Sequence, residues 1–293
     1  MYWKLSYRSR QIKKSDLHVH TTASDGKYKP REIVRLAAGK SISFLAITDH
    51  DTLSGLQEAH EECIKYRLNF IPGVELSTSY EENEIHLLGY NIDRTSIPLN
   101  AALTKLQDAR KQRIEGMIGK LADGGIPITI QAVQNKSAGS SIGRPHIALV
   151  LKELGLVSSI DEGIKKYLSP GCPAYLPRHR LSPFEAIDLI KEAHGIPVLA
   201  HPGISTPLEL IPVLINYGLK GIEVFHPKHT AKQIAFYLHL IDTTAKSLLI
   251  TGGSDFHGYE KTDQANFGAM KVPLRTIRAL QKLKVQLRQK KYS

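Results

Sequence analysis

The chain has 293 residues, 42% of them hydrophobic, which excludes a disordered polymer and suffices for one large α/β barrel or two modest domains. Its net charge of +11 favours anionic partners such as phosphates, nucleotides or nucleic acid, although a solvated basic surface has the same balance. Two cysteines, Cys63 and Cys172, give no disulfide framework, the basic stretch 1–15 has no apolar run behind it, and no segment is long and apolar enough to span a bilayer, so a cytoplasmic protein with no membrane partner is expected.

The first strand candidate is DLHV (16–19), which precedes His20. KPREIVRLAAGK follows as a helix, with Pro30 at its first position and Ile33, Leu36 and Ala37 on one face. SFLAIT (43–48) runs into Asp49 and His50, NFIPGVE (69–75) ends in Glu75, and EIHLLGY (84–90) contains His86. Residues 99–172 break the rhythm: they read as helices and loops without a buried strand, and are expected to form a helical insertion. That insertion divides a barrel whose first part is 16–98 and whose second part is 173–293. SPFEAIDLIKEAHG then offers Ser182 as N-cap, Glu185 as its capping-box partner and Gly195 as the stop. IPVLA (196–200) precedes His201. TPLELIPVLINYG predicts a helix capped by Thr206 and stopped by Gly218. GIEVF (221–225) precedes His226, and SLLITGG (247–253) precedes Ser254 and Asp255. The last segment, RTIRALQKLKVQLRQKK, predicts a basic helix that packs on the barrel through Ile277, Leu280 and Leu283. Strand–helix alternation of this kind predicts an α/β fold with a parallel sheet or barrel.

Nearly every strand candidate carries His, Asp or Glu at or near its end. Strands buried on both faces have no structural reason to place charge there, whereas the strand ends of a parallel barrel converge on one face. His18 and His20 are two apart and share a strand face, so one cation can bind both; exposed strands carry such pairs too, so the pair alone decides nothing. Asp25 follows on the next loop and can reach the same face. Asp49 or Asp51 either orients the His50 imidazole or caps the helix that follows, the capping role suiting Asp51 better. A carboxylate such as Glu75 can bridge two cations. His86 sits inside its strand and reads equally as a core histidine. His201, Asp255 and His257 complete the set. Six histidines, two aspartates and one glutamate without cysteine imply two or three divalent metal ions with open positions, and mixed imidazole and carboxylate suits Zn, Mn or Fe. Such a cluster lowers the pKa of bound water from 15.7 toward about 7 and supplies hydroxide for phosphoryl displacement.

The motifs DLHVHTTASDG, ITDHDT, PGVEL, HLLGY, LAHP and GGSDFHG, in this order, resemble the PHP (polymerase and histidinol phosphatase) superfamily, and within it the TrpH-like phosphoesterases. The resemblance covers nearly the whole chain. It implies a distorted (β/α)7 barrel with a helical insertion over the substrate, and hydrolysis of nucleoside 3′,5′-bisphosphates or 5′-phosphates, with 5′→3′ trimming of short RNA as the alternative. A metal-bound binding or scaffold module is the non-enzymatic alternative, and no obligate protein partner is evident. By motif, His18, His20, Glu75 and Asp255 would hold a first metal; Glu75 would bridge to a second, with His86 and His201; Asp25, His50 and His257 would hold a third. Some members have His where this chain has Asp25, and the carboxylate favours Mn or Fe over Zn. In GRPHIA the resemblance makes Arg144 a phosphate ligand, while His146 packs or caps the next helix. His226 either binds phosphate, protonates the leaving oxygen or is structural, and Arg178 is a weaker substrate candidate.

Overall fold

Seven apolar strands pair edge to edge in chain order in the computed structural model, which describes residues 14–136, 142–177, 181–244 and 248–291, with residues 283–291 as backbone only. They are β1 (Ser15–Asp16), β2 (Phe44–Ile47), β3 (Asn69–Tyr80), β4 (Asn83–Tyr90), β5 (Ile196–Leu199), β6 (Gly221–Phe225) and β7 (Leu249–Gly252). Just beyond β1, Val19 bridges to Phe256, and the His20 N–H donates to the Phe256 carbonyl at 3.0 Å. The two edges of the sheet thereby meet, and the sheet is a nearly closed barrel. The later predicted strands are present, but the first shrinks to Ser15–Asp16, with Val19 joining the sheet only through the bridge to Phe256.

One strand departs from the expected parallel arrangement. β4 runs antiparallel to both β3 and β5. Only Glu81 and Glu82 separate β3 from β4, which is a hairpin link; a parallel crossover needs a dozen residues or more. His86 therefore reaches the site from near the beginning of its strand.

Alternation along the strands sorts the core into two layers. Leu45, Val74, Leu76, Ile85, Leu87, Leu199, Ile222 and Val224 point outward and pack under the surrounding helices. Phe44, Ala46, Ile71, Leu88, Tyr90, Ile196 and Val198 point inward and fill one end of the barrel. The same inward set continues as Glu75, His86 and Glu223 at the other end, so one face of each strand changes from apolar to ionisable along its length.

The helices are α1 (Pro30–Gly39), α2 (Leu56–Tyr66), α3 (Ile97–Asp123), α4 (Ile130–Lys136), α5 (Arg144–Glu153), α6 (Ile160–Gly163), α7 (Pro183–Glu192), α8 (Pro202–Ser205), α9 (Leu210–Tyr217), α10 (Ala231–Thr244), α11 (Lys261–Asn266) and α12 (Leu274–Lys291), with one π turn over Ile164–Leu168. The Ser182–Glu185 capping box forms as expected at α7. That helix stops on His194, which takes the left-handed conformation at φ 56°, and not on Gly195. α9 starts at Leu210, later than expected, because Thr206 ends the short helix α8 instead of opening α9.

α3 joins two cores. Leu99, Leu103 and Leu106 in its first half belong to the barrel core. From Ile114 onward its residues pack with Ile147, Leu151, Ile160, Leu168 and Ala174 in a separate apolar cluster. At the opposite end of the barrel, Ile277 and Leu280 of α12 seal the inward-facing layer; the Leu283 side chain lies outside the described residues, as do residues 1–13. Among the described residues no helix is long and apolar enough to cross a membrane.

Candidate metal centre

Glu75 stands at the middle of the site, fully buried on the inward face of β3. Its Oε1 lies 2.8 Å from His86 Nδ1 and 3.0 Å from His201 Nε2. Its Oε2 lies 3.1 Å from the Nε2 atoms of both His18 and His20, and 3.2 Å from His50 Nδ1. The register explains the reach: Ser77 pairs with His86 across the hairpin, which sets His86 one inward step beyond Glu75. Asp255 faces the same imidazoles from the loop after β7, with Oδ1 3.2 Å from His20 Nε2 and 3.5 Å from His18 Nε2. Gly253 makes this approach possible, because a Cβ there would sit 2.2 Å from His18 Cβ.

Asp25 forms the second focus. Its Oδ1 is 3.4 Å from His257 Nε2 and 3.8 Å from His20 Nδ1, and its Oδ2 is 3.9 Å from His50 Nε2. The donor atoms fall into three groups, each small enough for one cation: His18, His20, Glu75 and Asp255; His20, Asp25, His50 and His257; and His50, Glu75 and His86. All nine residues singled out in the sequence lie around this site, but the grouping departs from expectation: His50, not His201, joins Glu75 and His86, and His201 falls in none of the three groups, reaching the site only through Glu75 Oε1. By distance His20 belongs to two groups, and His50 lies between Glu75 and Asp25.

Several of these buried atoms have no hydrogen-bond partner among the described residues: His18 Nε2, both ring nitrogens of His20, Asp25 Oδ1 and Glu75 Oε2. Orphaned polar atoms this deep are costly unless something satisfies them, and a divalent cation satisfies lone pairs from imidazole and carboxylate together. The donor set thus fits metal ions. Tautomers agree: the Asp255 carbonyl lies 2.9 Å from His257 Nδ1 and can take its proton, which frees Nε2 to coordinate.

The electrostatics are those of a charge-dense cavity. Burial alone would raise Glu75, but His50, His18 and His86 outweigh it and hold the carboxyl well below its usual range. Burial opposes charge on His20, and Asp255 and Glu75 overcome it, pushing the ring up to about 10. His86 rises to about 9, Glu75 again outweighing burial. Burial dominates at His50 and His201, which are lowered. Protons on His20 and His86 neutralise the carboxylates, a task that a cation takes over when it binds.

The supporting residues differ from expectation at two aspartates. Asp49 does not orient an imidazole; it accepts from Thr21 N, Thr21 Oγ1 and Ser24 Oγ at 2.7–2.8 Å and so fixes the loop that presents Asp25. Asp51 does not cap α2, whose N-cap is Gly55; its Oδ1 accepts from Ser77 N at 2.9 Å and ties β3 to the loop after β2.

Beside the centre lies a cleft of 110 Å³, lined by Asp25, His50, His86 and His257 from the barrel and by Arg110, Arg113 and Arg144 from α3 and α5. Arg144 Nη2 donates to Glu84 Oε2 at 2.9 Å. His146 accepts from Gly143 N at 3.0 Å and so caps α5. His226 does not line this cleft. It is buried, accepts from Lys228 N at Nδ1 (3.2 Å) and turns Nε2 toward Asp255 Oδ2 at 3.5 Å. Arg178 lies outside the described residues.

Two participants escaped the sequence reading. Glu223 in β6 is fully buried, with Oε1 3.1 Å from His18 Nδ1. A charge between Ile222 and Val224, on the opposite face of a strand buried on both sides, was the available signal. Arg110 of α3 donates from Nη2 to Asp25 Oδ2 at 2.8 Å; an arginine on a helix of ordinary polarity gave none.

The chain resembles known proteins. The PHP domain family model matches residues 16–131. A 3′,5′-nucleoside bisphosphate phosphatase from Chromobacterium violaceum is 34% identical over 249 residues, 83% of this chain and 86% of that protein. The 5′-3′ exoribonuclease Rnm of Escherichia coli is 40% identical over 190 residues, 64% of this chain; the match spans 65% of that relative, just under two thirds. A crystal structure from Bifidobacterium adolescentis, provisionally named a metal-dependent phosphoesterase, superposes with a TM-score of 0.85 at 29% identity, covering 92% of this chain and 96% of that one.

Proposed function

This chain belongs to the PHP domain family, and from that premise we propose that it is a metal-dependent phosphoesterase hydrolysing phosphate monoesters of small nucleotides, a nucleoside 5′-monophosphate or 3′,5′-bisphosphate. The observation that carries the reading is the set of orphaned imidazole and carboxylate atoms around Glu75, opening beside a cleft with three arginines.

In this reading His18, His20, Glu75 and Asp255 would hold one cation, Glu75, His86 and His201 a second, and Asp25, His50 and His257 a third. Bound Mn, Fe or Zn ions supply Lewis acidity toward phosphoryl oxygens and acidify the attacking water. Arg144 orients the phosphate through its guanidinium fork. The cleft's arginines suit a phosphoryl group, and sugar and base extend along the 99–172 insertion, which acts as a substrate cap. His226 carries its proton on Nε2, since Nδ1 accepts from Lys228, and can hydrogen-bond a substrate oxygen near Asp255.

A second reading is 5′→3′ trimming of short RNA in the same site. It is favoured by the net charge of +11 and by the similarity to the Escherichia coli exoribonuclease. One experiment separates the two: metal analysis of the purified protein, followed by phosphate release from nucleoside mono- and bisphosphates and nucleotide release from short RNA at graded salt. Phosphate from mononucleotides supports the first. Activity confined to oligonucleotides, falling steeply with salt, supports the second. Inactivity of metal-loaded protein on all of them, or full turnover by metal-loaded Asp255→Ala, refutes both.

A further inference from the structure

The two foci of the site differ in the charge that surrounds them. Among the described residues, Glu75 and Asp255 form ion pairs with imidazoles alone, and Glu223 adds a further carboxylate behind His18. Asp25 divides its carboxylate instead. Oδ1 faces His257 and His20, while Oδ2 accepts from Arg110 Nη2 at 2.8 Å.

Arg110 is not an incidental neighbour. It is 7% exposed and stands on α3 where that helix passes from the barrel core to the separate cluster beyond Ile114. Its Nε donates to the Ile142 carbonyl at 3.3 Å, and its Nη1 lies 3.9 Å from Asp51 Oδ2. The next residue along, Gly143, lets the backbone pass over the pair; a Cβ there would lie 2.6 Å from Arg110 Nη2 and 3.3 Å from Asp25 Oδ2. The guanidinium is held from both sides.

We infer that Arg110 makes the Asp25 group a weak, exchangeable cation site beside firmly held ions at Glu75. This rests on the metal reading above. A cation near Glu75 and Asp255 meets two uncompensated carboxylates. A cation near Asp25 meets one, already cancelled by a fixed guanidinium, and is repelled by that guanidinium across a few ångströms of low-dielectric protein. Arg110 is thus a positioning residue: it fixes Asp25 and sets the retention of the ion that Asp25, His50 and His257 share. The same positive charge faces the phosphate cleft, so removing the ion leaves the cleft cationic and does not expose a bare carboxylate.

The test is Mn2+ retention by the full chain, counted by elemental analysis after dialysis against graded chelator. Wild-type protein is expected to lose one ion at a chelator strength that leaves the others bound. Arg110→Met is expected to tighten that step by about tenfold or more and leave the others unchanged. Should Arg110→Met not fold, Arg110→Gln, which keeps a donor for Asp25 Oδ2, carries the same expectation. An unchanged or weakened first release step in the folded variant overturns the inference, as does simultaneous release of all ions from the wild type. A wild-type protein that retains none of Mn2+, Fe2+ or Zn2+ defeats the metal reading itself, an outcome distinct from either.

Discussion

Glu223 lies 3.1 Å from His18 Nδ1, the ring nitrogen turned away from Glu75 and Asp255. Its other oxygen accepts from the His201 backbone N–H at 2.9 Å, so one buried carboxylate braces a histidine on each side of Glu75. Such a partner fixes the tautomer and raises the basicity of the coordinating nitrogen. Glu223→Gln keeps the shape and removes the charge. It is expected to lower Mn2+ affinity about 10–100-fold, read by titration against a fluorescent chelator. Equal affinity in variant and wild type would refute the role.

The raised imidazoles make stability depend on pH when chelator keeps cations away. His20 stands at about 10 and His86 at about 9 in the folded chain, against an ordinary value near 6.5. A folded pKa above the unfolded one means stabilisation that is full below pH 6.5 and is lost as pH rises through 9 to 10. The chelated protein is therefore expected to melt at progressively lower temperature from pH 7 to pH 10. Mn2+-loaded protein should fall less, because coordination needs neutral rings. Thermal melts in both states check this, and parallel pH profiles would contradict it.

Arg144 bonds Glu84, and Glu84 Oε1 lies 3.4 Å from His86 Nε2, so this arginine is preset beside the centre. Arg144→Ala is expected to raise KM about ten- to a hundredfold, the worth of a charge-assisted hydrogen bond to phosphate, with a smaller change in kcat. Steady-state kinetics on a nucleoside bisphosphate measure both. A fall in kcat at constant KM would instead assign Arg144 to the reacting state alone.

Gly253→Ala and Ile277→Ala should separate site from scaffold. The added methyl of the first has no room against His18 and is expected to cost about 1–3 kcal/mol while displacing the His18 imidazole. The second removes a plug from the closed end of the barrel and is expected to cost about 2–5 kcal/mol. Denaturant melts and metal content together check the pair: Gly253→Ala should lose metal, and folded Ile277→Ala should keep it.

The nine ionisable residues were legible because buried strands gave them no other purpose, and recurrence at strand after strand is a pattern visible without coordinates. Glu223 was not, because it lies within GIEVF and was read as part of an apolar run, although its alternation with Ile222 and Val224 marked an inward charge. Arg110 was beyond reach: its partner Asp25 is 85 residues away, and helix polarity says nothing about which arginine is buried. The reversal of β4 was present in the two-residue link Glu81–Glu82, a matter of loop length and not of periodicity. Thr206 misled because a good capping residue preceded a good helix, while α8 intervened.

The division into two apolar clusters has a consequence for how the protein can change. The residues from Ile114 to Ala174 pack mainly with one another, and the barrel residues with one another. Substitutions in the first set can reshape what the cleft admits without disturbing the strands that hold the ionisable centre, so selectivity and chemistry can diverge separately along a lineage or under laboratory evolution. Arg110 and Arg144 tie the two together: Arg110, on α3 just before Ile114, grips Asp25, and Arg144 of α5 bonds Glu84, so a lineage that exchanges the 99–172 segment must either keep these residues or alter the centre with them.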